Sequence, residues 1–76
     1  MNSLKVYQFQ EGPQTIVCCP EKDWAVASAP CQGGSFFQLT NPEHLAKAKE
    51  LTQSHEPLEG EAATQAISLL QECCAA

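Results

Sequence analysis

The chain has 76 residues, 43% of them hydrophobic, and a formal charge of −5 from eight Glu and one Asp against four Lys, with no Arg. That composition excludes nucleic acid as a partner, because phosphate contacts and bidentate base readout draw on Arg and Lys, and Lys5, Lys22, Lys47 and Lys49 form no run. It leaves room for one small domain, residues 1–76, with a thin core: ten of the hydrophobic residues are Ala and five are Cys, in a size range where burial and chain entropy nearly cancel.

No stretch approaches the roughly 20 apolar residues that span a bilayer, so no membrane association is expected. The opening "MNSLKVYQFQ" has one Lys and no apolar run of seven or more, and is expected to be no export signal. Five cysteines, an odd number, without such a signal point to a reducing, cytoplasmic setting in which the thiols stay free.

In chain order, strands come first and helices second. Val6, Tyr7 and Phe9 favour an extended chain, and from Ser3 to Gln10 the alternation sends Lys5, Tyr7 and Phe9 one way and Leu4 and Val6 the other. "EGPQ" carries the Gly-Pro punctuation of a reversal. "TIVCC" resumes as a second strand, Thr15 to Cys19, and the two read as an antiparallel hairpin. Pro20 cannot donate to a central ladder and ends that strand, and "EKD" is the next turn. "WAVASA" sets Trp24, Val26 and Ser28 against Ala25, Ala27 and Ala29, a third strand with one bulky and one small face. The small face leaves room for a helix. Pro30 closes the strand, "CQGG" is a flexible loop, and "SFFQL", Ser35 to Leu39, is a short fourth strand.

A helix start follows. Asn41 as N-cap with Pro42 at the first helical position is one arrangement, and Thr40 with Glu43 three residues later is the competing capping box. Leu45, Ala48 and Leu51 fall on one side, Glu43 and Lys47 form a solvent-side pair four residues apart, and the helix should end near Ser54. "HEPLEGE" is a linker whose Glu56, Glu59 and Glu61 oppose the positive end of the next helix's dipole. From Glu61 onward Ala63, Ala66, Ile67, Leu70, Cys73 and Cys74 follow the template of an amphipathic helix. The expected fold is α+β: an antiparallel meander of three or four strands followed by two C-terminal helices packed on one face.

The cysteines carry little that demands chemistry. Cys73 and Cys74 extend the apolar stripe of the last helix and read as small hydrophobes at its frayed end. "CCAA" formally meets a lipidation frame, but its second residue is not aliphatic and no basic stretch precedes it. Cys18 and Cys19 are adjacent on a strand and should point to opposite faces. A thiol-based metal or redox site would join Cys18 or Cys19 to Cys31 and His44, without the closely spaced ligand pairs that zinc sites use. "PCQGGSF" places the Cys31 thiol before two glycines, yet neither His44 nor His55 is positioned by the sequence as its base. No cofactor and no catalytic residue are therefore expected.

The aromatic residues remain. Trp24 reads first as a core anchor, and Phe36 and Phe37, neighbours in an extended segment, should face opposite sides of the sheet. Whichever points outward lies on the sheet face that the helices leave bare, and Trp24, Phe36 and Phe37 are the candidate partner-binding residues. The functional expectation is a small, acidic, non-enzymatic module that binds another protein or itself, as a homodimer, through that bare face or an edge strand. The alternative is the thiol site built on Cys18 or Cys19, Cys31 and His44.

Overall fold

A computed structural model describes residues 4–30 and 33–74. Four strands, β1 (Tyr7–Glu11), β2 (Gln14–Cys19), β3 (Trp24–Ser28) and β4 (Phe36–Gln38), form one antiparallel sheet in the order β1-β2-β3-β4, followed by helices α1 (Pro42–Leu51) and α2 (Gly60–Cys74). This is the expected α+β class, with the meander and the two C-terminal helices packed against it.

Each turn has a local cause. Glu11 pairs with Gln14 across a two-residue loop, and Gly12 supplies the positive φ, 60°, that the first loop position of such a hairpin takes most easily. Pro20 opens a 3-10 turn, Pro20–Lys22, which ends at Asp23 in the left-handed region with φ 58°. At α1 the cap is Asn41, whose Oδ1 accepts from the Glu43 N–H at 2.8 Å, with Pro42 at the first helical position. The expected end near Ser54 is also met, since a 3-10 turn, Thr52–Ser54, continues from Leu51. The buried Thr52 hydroxyl donates to the Lys49 carbonyl at 2.6 Å.

The register sorts the strand residues into two layers. On one face lie Tyr7 and Phe9 of β1, Ile16 and Cys18 of β2, Ala25 and Ala27 of β3, and Phe37 of β4, and Ala48 of α1 packs into that cluster with Leu45 and Leu51 beside it. On the other face lie Val17, Cys19, Trp24, Val26 and Phe36, packed by Ala66, Leu70, Ile67, Cys73 and Cys74 of α2. The helices therefore sit on opposite faces, one each, and the expectation that both pack on one face is corrected. The reason is in the strands themselves: β2 is buried at four successive positions, Ile16 to Cys19, so neither of its sides can be left to water. The expected stripe of α2 is present, with Ala66 buried, Leu70 at 0% exposure and Ala63, Ile67, Cys73 and Cys74 half-buried around them.

The chain changes faces by passing round the β1 edge. His55 stacks on Phe9, ring centroids 4.9 Å apart, on the α1 side. Three residues later the Leu58 N–H donates to the Val6 carbonyl at 2.7 Å, and the Leu58 side chain joins the α2-side cluster. α1 is tethered on both flanks. Lys47 Nζ lies 3.3 Å from Glu11 Oε1 at the hairpin end of the strands, and Lys49 pairs with Asp23 at the other end. Lys47 thus reaches the sheet in place of the expected partner Glu43. Both pairs are solvent-exposed and contribute at most about 1 kcal/mol each, so they orient α1 more than they hold it.

Candidate functional site

The small side chains of β3 shape the α1 face. In the cross-strand row Phe9, Ile16, Ala27, Phe37, the methyl group of Ala27 lies between two large residues, and Ala25 lies between Cys18 of β2 and the Leu39 backbone, whose N–H donates to the Ala25 carbonyl at 2.9 Å. The sheet surface dips along β3. α1 comes closest over β2, and Ala48, 1% exposed, lets it approach. Beside α1 a cleft of about 410 Å³ remains, walled by Ile16, Phe37 and Leu39 from the sheet and by Ala48 and Leu51 from α1, with Glu11, Gln14, His44 and Lys47 around it. Its size lies within the range of sites that take small ligands or single large side chains. The surround is polar and mixed in sign: His44 and Lys47 are exposed on α1, and Lys47 is paired with Glu11.

A second hollow, about 510 Å³, runs along Glu56, Pro57, Leu58 and Glu59. All four belong to one short segment, so no groups from separate elements converge on it.

The three aromatic candidates do not form one patch. Phe36 and Phe37 face opposite sides, as alternation requires; Phe37 is half-buried and walls the cleft, while Phe36 and Trp24 are half-buried against the α2-side cluster. Trp24 pairs with Cys19 and Phe36 with Ser28, at opposite ends of β3. The bare sheet face expected to carry them does not exist, because α1 covers it. Leu39, Ala48 and Leu51, which complete the cleft, were not singled out as site residues by sequence. The available signal was the run of alanines at 25, 27 and 29, which marks where a helix approaches closely.

The sheet separates Cys19, but not Cys18, from His44. Cys18 lies on the α1 side and Cys19 on the α2 side, both fully buried. His44 belongs to α1, and so to the face opposite Cys19. Cys31 lies outside the described residues. Burial, with the neighbouring Cys19 thiol, pushes the Cys18 thiol from the ordinary 9.0 up to about 11. Cys19 is also raised by burial, opposed by the backbone N–H groups of Lys22 and Glu21. Cys74 is raised by burial too, and its Sγ lies 4.0 Å from the Ala25 carbonyl oxygen. Raised thiols are poor nucleophiles and poor ligands at neutral pH. Among the described residues no three His, Cys, Asp or Glu side chains gather into a metal-binding group, and no helix is long and apolar enough to cross a membrane.

Comparison with protein-family models, with curated proteins and with solved structures finds no match.

Proposed function

We propose that the protein is a small, acidic, non-enzymatic interaction module that receives an apolar side chain of another protein in the cleft between α1 and β4. The observation that carries this reading is the cleft itself. Two half-buried apolar residues of the sheet, Phe37 and Leu39, and one of α1, Leu51, face a space of about 410 Å³ on a chain with few large side chains to spare. Apolar surface held open in this way is a common mark of a docking surface. The polar surround sets orientation: a partner presenting an apolar anchor flanked by groups that meet Lys47 and Glu11 matches the cleft in both respects. Of the three aromatic residues, Phe37 has the direct role in this reading, and Phe36 and Trp24 hold α2.

The test is affinity capture of the tagged chain from its native cell, run beside the variant Leu39→Glu, which places a charge in the cleft wall. The expected result is a protein retained by the parent chain and lost from the variant, while the variant keeps the parent's far-UV circular dichroism and cooperative melting. Retention of the same proteins by both chains would remove the cleft from the account.

A further inference from the structure

The outer side of β4 is an unpaired strand edge, and its geometry defines what can pair with it. The Leu39 N–H donates inward to the Ala25 carbonyl at 2.9 Å, in register with Phe37 opposite Ala27. In an antiparallel ladder inward-bonded and outward-facing residues alternate. Phe37 and Leu39 therefore bond toward β3, and the N–H and C=O groups of Phe36 and Gln38 face away from it. Among the described residues no strand lies on that side.

Among the described residues this edge lacks the devices by which proteins prevent edge-to-edge pairing, which are charges, prolines and covering segments. No charged residue occurs between Asp23 and Glu43, and β4 contains no proline. The opposite edge differs. β1 ends in Glu11, and the linker covers its beginning through the bond from Leu58 to Val6. In a chain of formal charge −5, this neutral edge is a place where a like-charged molecule can approach closely.

We infer that the protein self-associates as a two-fold dimer through the outer edge of β4, with Phe37 opposite Phe37 of the second copy. In that register Phe36 pairs with Gln38 across the axis in both directions, and all four outward-facing backbone groups of each strand are satisfied. The central pair, Phe37 with Phe37, falls at a non-hydrogen-bonded position, where side chains stand closest and aromatic pairs contribute most. The axis is perpendicular to the sheet, so both α1 helices lie on the same side and the two clefts adjoin across the Phe37 pair. The two-fold pairing uses the same edge on both copies, and the dimer is closed. An edge contact of a few residues falls below the roughly 1,200 Å² of a stable interface, so the dimer is reversible. The inference deepens the proposed function by doubling the cleft, but it rests on the edge of β4, and the two fail separately.

Sedimentation velocity of the full chain from about 10 μM to about 1 mM tests it, in the range where so small an interface associates. The parent chain should move from monomer toward dimer as concentration rises. Raising salt from about 0.01 M to about 0.1 M, which shortens the screening length from about 30 to about 10 Å, should strengthen association by reducing repulsion between two acidic chains. Gln38→Pro removes one outward N–H and no inward bond, and should stay monomeric throughout while keeping the parent's melting transition. Gln38→Lys, which leaves the backbone intact, provides the same reading should the proline variant fail to fold. In a mixture of isotopically labelled and unlabelled chains, the α-protons of Phe37 should show an intermolecular contact. A parent chain monomeric at every concentration would overturn the inference, as would a dimer that both Gln38 variants leave intact.

Discussion

At Ala25 and Ala27 the side chain is a methyl group, and the sheet surface lies lower there than over the flanking residues of β2 and β4. The same economy at Ala48 lets α1 settle close to the sheet, and a larger residue at any of the three positions would force the packed layer apart. Cys18 belongs to the same layer. Its thiol is held at about 11 against an ordinary 9.0, with burial as the main cause. The sign of the effect on stability follows from which state loses its proton first. Below pH 9 the thiol is protonated folded and unfolded, and it contributes nothing to pH dependence. Between about pH 9 and pH 11 the unfolded chain loses the proton while the folded chain keeps it, so stability falls by up to about 1.4 kcal/mol per pH unit for this thiol and levels off above. Urea midpoints measured at pH 8.5 and pH 10.5 should show that loss, and Cys18→Ala should show a shallower one; equal slopes for the two chains would mean that the thiol is not buried as described.

The elements differ in how much of them their own residues announce. The N-cap of the first helix, the turn at Gly12, the stop at Pro20 and the stripe of α2 are local features, and each is legible because its cause lies within a few residues. Asn41 is the clearest case. Its Oδ1 satisfies one N–H that the helix start leaves without a partner, so Asn41→Ala should cost about 1 kcal/mol in chemical denaturation, with Asn41→Ser restoring most of it. What local residues do not determine is the side of the sheet on which a helix packs. Leu45, Ala48 and Leu51 form an apolar face that would suit either surface of the meander. The choice depends on the path of the linker round the β1 edge, marked by the stacking of His55 on Phe9 and the bond from Leu58 to Val6, and those contacts join residues more than forty positions apart. The cleft was obscured for the same reason. Phe37 was identifiable as a site residue, but Leu39 and Leu51 become neighbours only once α1 is placed.

For the molecule as a whole, one helix per face explains how so few large side chains make a stable unit. Both surfaces of the sheet are used, Val17, Val26 and Leu70 on one side and Phe9, Ile16 and Ala48 on the other, and the twin layers share the central strands. Half-buried Phe37, Leu39 and Leu51 line the cleft, and the neutral edge of β4 lies next to it. This account depends most on the placement of α1 opposite α2, and methyl-proton NMR tests that directly. The Ala48 methyl should show nuclear Overhauser contacts to the Ile16, Ala25 and Ala27 side of the sheet, and the Leu70 methyls to Val17 and Val26. Contacts from both helices to Val17 and Val26, with none from Ala48 to the alanines of β3, would contradict it.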